Sequence, residues 1–360
     1  MAAHVRAVIR HTTTEPFPAL CEDEFKALAL AVFQAQFRHN AAYRAFCAGR
    51  SVSPDSVGDW RKIPAVPPQA FKELELTSLA AAERELVYWS SGTTGESRSR
   101  HFHSRESVAL YETSLWAWFK RQVLAGRPEL HPIALTPTPA AAPNSSLAHM
   151  FGEIFRRRGQ GPEDQFVGKV GPEGSWEVDF EARRRWVEHR ILRNEPLLLL
   201  GTAFNFVHLL DWLAACGSGL CLPTGSVVLE TGGYKGRSRE LSRSELHAAL
   251  CKALGVARDQ IVTEYGMSEL SSQAYAYPGA ADGRRWFRFP PWARPQVVSP
   301  ETGLEVAEGA TGVLRILDLA NVWSVAALQT EDLAIRHGDA FELLGRIPAA
   351  EPRGCSRMTA

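Results

Sequence analysis

The chain has 360 residues, 45% of them hydrophobic and 22% charged, and its formal net charge is zero. This composition is typical of a globular protein that buries a large core, either as one α/β domain or as two smaller ones. The balanced charge produces no field that favours nucleic acid or an anionic membrane, so we expect neither as a partner.

No stretch is typical of a targeting or membrane-spanning segment. Residues 1–14 lack the apolar core of a secretory signal. The most apolar run, residues 196–213, is interrupted by polar side chains and is too short to cross a bilayer. The six cysteines are scattered without a CxxC pair, which argues against a structural zinc site or a disulfide framework. We therefore predict a cytoplasmic protein without a membrane span.

Hydrophobic periodicity predicts an α/β fold. Residues 21–49 have the spacing of one or two helices, and a proline-rich segment at 63–68 follows them. Beyond it, strands predicted at 85–89, 132–136, 196–200, 227–231 and 261–265 alternate with helices, among them 107–124, 180–193 and 242–254. Such alternation predicts mainly parallel sheets flanked by helices, with ligand loops at one edge. Shorter strands after residue 284 predict a small β-rich C-terminal subdomain.

The most informative stretch follows the strand at 85–89. Four hydroxyl groups and two glycines stand within six residues: Ser90, Ser91, Gly92, Thr93, Thr94 and Gly95, with Arg98, Arg100 and His101 soon after. Glycines let a backbone bring its N–H groups close to an anion, and hydroxyls and arginines add donors for phosphate oxygens. The spacing is not that of the P-loop, which ends in Lys followed by Ser or Thr. We predict a phosphate-binding loop; a flexible surface turn is the alternative.

A second motif, Tyr265-Gly266-Met267-Ser268-Glu269, follows a β-branched strand. A carboxylate such as Glu269 is a hard oxygen ligand suited to magnesium, whose charge is needed where two anions approach each other. Taken alone, the motif fits equally well a strand-to-helix turn in which the helix dipole favours Glu269.

Together the two motifs resemble those of acyl-adenylate-forming enzymes. The form ending Ser99-Arg100-His101 is most similar to the LuxE-type acyl-protein synthetases of bacterial luminescence operons, as is the segment 63–76, which reads IPxxPxxxFKELEL. The resemblance spans about residues 63–357. It implies an adenylate-forming-enzyme fold, ATP and Mg²⁺ as cofactors, and a ligase that activates a carboxylic acid as acyl-AMP.

The resemblance also implies roles for individual residues. Tyr265 stacks on adenine, and Asp332 accepts hydrogen bonds from the ribose hydroxyls, since a carboxylate offers two acceptor oxygens to a diol. Ser268 meets the α-phosphate, and Glu269 helps to hold magnesium. The remaining implied nucleotide contacts are Ser90, Ser91, Gly92, Thr93, Thr94, Gly95, Arg98, Arg100, Gly232, Gly233, Gly266 and Arg346.

A wall for the acyl group is predicted after the strand at 196–200. Phe204, Phe206 and His208 follow a tight glycine turn there, and we count His208 among the catalytic candidates. The alternative is that these aromatic side chains are ordinary core residues.

The C-terminal tail resembles that of the LuxE-type ligases. Ordinary acyl-CoA ligases continue past this point into a mobile domain with a catalytic lysine, whereas this chain ends soon after Arg353-Gly354-Cys355-Ser356. In the LuxE type a near-terminal cysteine receives the acyl group, so Cys355 is the implied nucleophile. The nine residues from Arg346 to Cys355 can span up to roughly 30 Å when extended. The alternative is an accidental cysteine in a disordered end.

Two further expectations concern charge and thiols. Without the mobile domain's lysine, the candidates for neutralising the leaving diphosphate are Arg98, Arg100, Lys235 and Arg237. The other cysteines, Cys21, Cys47, Cys216, Cys221 and Cys251, stand in apolar contexts typical of small core residues.

We predict four regions: a helical and proline-rich N-terminal region (1–84), an α/β nucleotide- and acyl-binding core (85–283), a β-rich subdomain with the ribose motif (284–345), and a flexible tail with the acyl-accepting cysteine (346–360). The predicted function is an ATP-dependent acyl-protein synthetase that passes a carboxylic acid, in the first place a fatty acid, through acyl-AMP to Cys355. An acyl reductase or another acyl-acceptor protein is the implied partner. The alternatives are an acyl-CoA or acyl-carrier ligase of the phenylacetate-CoA-ligase-like type, and a non-catalytic nucleotide-binding relative.

Overall fold

The computed structural model describes residues 1–12, 20–90, 98–159, 165–171, 176–217, 219–233, 241–278 and 284–347. The helices are α1 (Ala2–His11), α2 (Glu22–His39), α3 (Ala41–Ala48), α4 (Ala70–Glu73), α5 (Arg105–Phe119), α6 (Ser146–Arg157), α7 (Arg184–Leu192), α8 (Ala203–Ala215) and α9 (Arg243–Leu254). The strands are β1 (Leu86–Trp89), β2 (Arg100–His103), β3 (His131–Ala134), β4 (Gly168–Val170), β5 (Trp176–Val178), β6 (Leu197–Thr202), β7 (Val227–Thr231), β8 (Ile261–Tyr265), β9 (Ala274–Pro278), β10 (Arg285–Arg288), β11 (Ala293–Val298), β12 (Thr311–Asp318), β13 (Ala327–His337) and β14 (Ala340–Arg346).

Ten strands form one mixed sheet in the order β11-β12-β13-β14-β10-β9-β8-β7-β6-β3. The four strands at one end, β3, β6, β7 and β8, pair in parallel. The remaining neighbours in this sheet pair antiparallel. The predicted α/β class is confirmed, and the parallel arrangement holds for β3, β6, β7 and β8, whereas β4 and β5 form a separate antiparallel pair.

The parallel strands are covered on both faces, which explains their composition. β6, β7 and β8 are buried at every position. Along β6, Leu198 and Leu200 belong to one apolar cluster, while Leu197 and Leu199 belong to the cluster on the other face. Helices α8 and α9 supply the second cover, because their apolar side chains belong to the second cluster. A strand buried on both sides is a continuous apolar run, which is the pattern of Leu197–Leu200.

The strand expected at 85–89 and the strands expected beyond residue 284 differ in whether they join this sheet. The strand expected at 85–89 does form, but β1 pairs with β2 in a separate two-stranded hairpin. The strands beyond residue 284, expected as a small β-rich subdomain, continue the same sheet through the pairings of β9 with β10 and β10 with β14. The proposed region boundaries remain predictions.

Burial corrects one expectation about the cysteines. Cys47 is buried and Cys251 is partly buried, but Cys21, Cys216 and Cys221 are exposed. The prediction that all five are core residues is therefore wrong for these three, because apolar neighbours in sequence do not tell which face of an element a side chain occupies. None of the helices in the described ranges is long and apolar enough to cross a membrane.

A buried glutamine ties the N-terminal helices to the sheet. On α2, the Nε2 of Gln36 donates to the carbonyl oxygens of Asn321 (2.7 Å) and Val322 (3.2 Å), and its Oε1 accepts from the backbone N–H of Ala326 (3.1 Å). These backbone groups belong to the connection between β12 and β13. The side chain therefore substitutes for backbone pairing that this connection lacks.

We predict that Gln36→Leu lowers the free energy of unfolding by about 2–4 kcal/mol, because it leaves buried backbone groups unpaired. Gln34 is exposed on the same helix, so Gln34→Leu is the matched control and should change stability by less than about 0.5 kcal/mol. Urea denaturation followed by circular dichroism measures both values. Equal effects of the two substitutions would contradict this account.

Candidate active site

Three of the predicted nucleotide residues meet at the end of β8. Tyr265 is the last residue of this strand, and its hydroxyl donates to Oδ2 of Asp332 on β13 at 2.6 Å. Burial, with the Asp332 carboxylate beside it, holds the pKa of Tyr265 well above its ordinary value, so the hydroxyl keeps its proton. On β14, the Nε of Arg346 lies 3.7 Å from Oδ1 of Asp332, its cross-strand neighbour. An aromatic ring, a carboxylate and a guanidinium thus converge.

The ring of Tyr265 is held by other aromatic side chains. It packs edge-on against Phe287, Phe289 and Phe341, with ring centroids 6.0, 6.2 and 5.7 Å away. These three residues come from the antiparallel part of the sheet and the loop after β10. The orientation of Tyr265 is therefore set by packing as well as by its hydrogen bond.

The turn after β8 buries Ser268 and Glu269 side by side. The Ser268 hydroxyl donates to Oε2 of Glu269 at 3.0 Å, and the backbone carbonyl of Glu269 accepts from Nδ2 of Asn321 at 2.7 Å. A buried carboxylate with one side-chain donor retains acceptor capacity for a hard cation. Within the described ranges there is no group of three or more His, Cys, Asp or Glu side chains arranged to hold a metal ion. Glu269 fits the usual magnesium arrangement, in which one or two carboxylates share the ion with phosphates and water.

The predicted phosphate loop is anchored to this turn. Its base is closed by two hydrogen bonds, from the backbone N–H of Ser90 to the carbonyl of Ser99 (3.2 Å) and from the Ser99 N–H to the Ser90 hydroxyl (3.0 Å). On β2, Nδ1 of His101 lies 2.7 Å from the backbone oxygen of Ser268. Because a carbonyl only accepts, Nδ1 carries the proton, and burial lowers the pKa of His101 to about 4. The flanks of the loop and the Ser268 turn therefore face each other. Residues Ser91, Gly92, Thr93, Thr94 and Gly95 lie outside the described residues.

The two arginines after the loop lie in different surroundings. The guanidinium of Arg98 is 5.9 Å from the ring centroid of Trp89. Arg100 lies on β2 next to His101, so its side chain is on the opposite face of the strand, and its Nη1 is 3.7 Å from Oε1 of Glu75. Lys235, Arg237 and Cys355 lie outside the described residues.

The glycines predicted to contact the nucleotide differ in their backbone conformation and in the space around them. Gly232 has φ of +64°, which favours glycine, whereas a Cβ at Gly233 would meet open space. A Cβ at Gly266 would lie 2.4 Å from Oε1 of Glu264, a contact that real side chains do not make. A side chain at position 266 would therefore displace the Glu264 carboxylate from its present position.

The aromatic helix predicted to contact the acyl group has a mixed environment. Phe206 is fully buried in the core, while Phe204 is partly exposed and its ring packs edge-on against His208 at 4.4 Å. His208 is exposed. In the part of the chain that the structure describes, no hydrogen bond joins His208 to another predicted site residue.

Comparison with known proteins identifies the family. The family described as "Acyl-protein synthetase, LuxE" matches residues 14–360 of the chain. The chain belongs to the LuxE family. The LuxE-type resemblance is confirmed, and the chain is a ligase of this family. It is 23% identical over 348 residues to the long-chain-fatty-acid–luciferin-component ligase of Aliivibrio fischeri, covering 91% of this chain and 86% of that protein.

Solved structures show the fold of this LuxE-family chain. An open conformation of 2-hydroxyisobutyryl-CoA ligase, in complex with 2-HIB-AMP and CoA, aligns with a TM-score of 0.66 and 13% identity, covering 91% of this chain and 75% of that one. The same enzyme in the postadenylation state with 2-HIB-AMP gives a TM-score of 0.66 and 12% identity, covering 91% and 68%. The adenylate-forming-enzyme fold is confirmed.

Sequence reasoning missed a pair of buried carboxylates beside the site. Glu264 precedes Tyr265 on β8 and accepts a short hydrogen bond from the Thr231 hydroxyl on β7. Burial raises the pKa of Glu264 to about 7, the Thr231 bond opposes this shift, and Glu230 adds to it. Glu230 itself lies 3.3 Å from Nε2 of the buried His247. The signal in the sequence was an acidic residue at the fourth of five positions in each buried strand.

A second missed feature is the connection after β12. Both oxygens of Asp318 accept hydrogen bonds, Oδ2 from the N–H of Ser271 at 2.9 Å and Oδ1 from the Ser272 hydroxyl at 2.8 Å. Burial raises the pKa of Asp318 to about 6. Together with Asn321, this carboxyl group positions the backbone that follows Glu269.

We predict that Glu264→Gln reduces the pH dependence of stability. The folded chain binds the Glu264 proton more tightly than the unfolded chain, because the pKa is about 7 when folded and the ordinary value is 4.5. Stability contributed by this proton is therefore lost as pH rises from about 4.5 to 7, by on the order of 3 kcal/mol. The variant, whose amide still accepts from Thr231, should lack this loss.

Urea midpoints between pH 4.5 and 8 measure the effect. Asp318 titrates in the same window in both proteins, so the difference between the two curves isolates Glu264. Glu73→Gln, at an exposed carboxylate, is the control and should leave the curve of the original chain unchanged. Parallel curves for Glu264→Gln and the original chain would show that Glu264 is already ionised at low pH.

Proposed function

We propose that this chain is an ATP-dependent acyl-protein synthetase that activates a carboxylic acid as acyl-AMP and transfers the acyl group to its own Cys355. The observation that supports it best is the convergence of Tyr265, Asp332 and Arg346, with the predicted phosphate loop joined to the next turn by the bond from His101 to Ser268. The A. fischeri relative is a ligase for a long-chain fatty acid by its name, so a fatty acid is the proposed substrate.

The contacts around Asp332 support nucleotide binding. Its two oxygens now face a hydroxyl donor, Tyr265, and a cation, Arg346. Vicinal ribose hydroxyls present the same kind of donor, so they can take the place of the tyrosine hydroxyl at Asp332. Arg346 then remains beside a phosphate or ribose oxygen.

In the first step, an oxygen of the substrate carboxylate attacks the α-phosphorus of ATP. A bond forms between that oxygen and phosphorus, the bond to the β-phosphate oxygen breaks, and diphosphate leaves. Magnesium, when bound, supplies charge neutralisation for the phosphate oxygens. Glu269 would be the carboxylate that holds it, and the Ser268 hydroxyl would donate toward the α-phosphate in place of Glu269.

In the second step, the Cys355 thiolate attacks the carbonyl carbon of acyl-AMP, a thioester forms and AMP leaves. Arginines stand two residues on either side of this cysteine, Arg353 and Arg357, and positive charge favours the thiolate. The acyl group then passes to an acyl reductase or another acceptor protein.

For the nucleotide site, Asp332→Asn should weaken ATP binding about tenfold or more, because charged hydrogen bonds contribute roughly 1.5–3 kcal/mol. Asp339→Asn is the control, since Asp339 is highly exposed and pairs with Arg288 away from the site. Calorimetric titration with ATP measures binding, and exchange of labelled diphosphate into ATP measures activation. If Asp332→Asn bound ATP as tightly as the control, the ribose role would be refuted.

For the thioester, Cys355→Ser should retain acid-dependent diphosphate exchange but lose the acyl-enzyme that hydroxylamine cleaves at neutral pH. Exposed cysteines elsewhere could be labelled non-specifically, so Cys216→Ser is the control and should keep the acyl-enzyme. Mass spectrometry after incubation with ATP and labelled fatty acids locates the label.

The same experiment separates the alternatives. The structural similarity to a CoA ligase makes an external thiol the rival acceptor. Retained transfer from Cys355→Ser to CoA would favour that ligase. Absence of any diphosphate exchange with a panel of acids would favour a non-catalytic nucleotide-binding relative.

A further inference from the structure

A small cavity of about 170 Å³ lies between α9, the start of β8 and the strands β10 and β14. Four of the side chains that line it are arginines: Arg243, Arg258, Arg284 and Arg285. Arg243 is the first residue of α9, and Arg258 lies in the turn before β8. Three of these arginines are exposed at the rim, namely Arg243, Arg258 and Arg284, while Arg285 is buried.

Arg285 is the buried arginine of the cavity lining. Its Nη1 donates to the carbonyl oxygens of Ile261 (2.7 Å) and Ala276 (3.3 Å), which holds the guanidinium in place. The side chain is only 7% exposed, yet among the described residues its Nε has no hydrogen-bond partner. Burial lowers the pKa of Arg285 to about 10, so the group is still charged at neutral pH. Its Nη2 donates to the carbonyl oxygen of Arg258 at 3.3 Å, so the charge of Arg285 is held in place at the cavity wall.

The acidic neighbours do not cancel this charge. Glu342 also lines the cavity, and its Oε2 lies 4.0 Å from Nη1 of Arg284 and 3.9 Å from Nε2 of His337. Glu230 does not line the cavity and is paired with His247, which does. The cavity is therefore lined by four guanidinium groups and one carboxylate.

We propose that this cavity binds a small, multiply charged phosphate anion, inorganic phosphate or diphosphate. Arginine presents a planar fork of donors that matches phosphate oxygens, and several forks around one cavity favour a multiply charged anion over chloride. The volume is below the roughly 300–1,000 Å³ of sites for larger ligands, which argues against a whole nucleotide.

None of the residues that line the cavity belongs to the described flanks of the predicted phosphate loop, but the cavity touches the aromatic layer around Tyr265. The guanidinium of Arg243 is 5.7 Å from the ring centroid of Phe287, and Phe287 packs against Tyr265 at 6.0 Å. Diphosphate is the leaving group of the proposed reaction, whereas inorganic phosphate is not. The inference does not rest on that reaction, since binding is measured without ATP or acid.

The test is calorimetric titration of the full chain with phosphate and, separately, with diphosphate, in a chloride buffer of constant ionic strength. We expect saturable binding to one site. The double variant Arg243→Gln/Arg258→Gln should weaken it at least tenfold. The control Arg38→Gln/Arg105→Gln removes the same charge from exposed positions on α2 and α5 and should bind like the original chain. Tighter binding of one anion identifies it as the ligand.

Two results would overturn the proposal: no saturable binding of either anion at millimolar concentration, or equal weakening in both double variants, which would mean general electrostatic attraction. Thermal melts in chloride buffer check that each variant folds. If the first double variant does not fold, Arg284→Gln, at an exposed rim position, replaces it with the same expected direction, and unchanged binding would again reject the site.

Discussion

One buried hydrogen bond, from Nδ1 of His101 to the carbonyl oxygen of Ser268, joins the two halves of the candidate active site. The β1–β2 hairpin forms its own sheet, so backbone pairing with the ten-stranded sheet does not determine its position. The ring of His101 also lies 4.2 Å from that of His103, which is buried as well. Burial keeps His101 neutral and leaves one donor for one acceptor, which makes the contact directional.

The same turn is supported from behind by a chain of polar contacts that reaches the N-terminal helices. Asn321 holds the backbone of Glu269, and Gln36 on α2 holds the backbone of Asn321. Asp318 holds the residues that follow Glu269. Since buried polar networks are directional and rigid when every member is paired, the N-terminal region contributes to the geometry of the site and does not merely lead into the core.

The candidate active site and the cavity beside α9 have side chains of opposite charge. Carboxyl groups gather around the end of β8: Glu264 on β8 and Glu269 in the following turn are buried, and Asp332 on the antiparallel strand β13 is nearly so. Such a cluster repels phosphates, so a nucleotide there needs cations such as Arg346 close by. The cavity beside α9 has the opposite excess, with guanidinium groups around a single carboxylate.

The sequence by itself determined the local elements and the family. Continuous apolar runs such as Leu197–Leu200 predict buried parallel strands, because only a strand covered on both faces needs apolar side chains at every position. The short motifs at 90–95 and 265–269 indicated an acyl-adenylate-forming enzyme, and Ser99-Arg100-His101 with the segment 63–76 indicated the LuxE type. Tertiary structure alone decided what lies next to what. The contacts of Tyr265 with Asp332, of His101 with Ser268 and of Gln36 with Asn321 join residues far apart in the chain, and no local pattern specifies them. The exposed cysteines and the arginine-lined cavity escaped prediction for the same reason: which face a side chain occupies depends on the packing of distant elements.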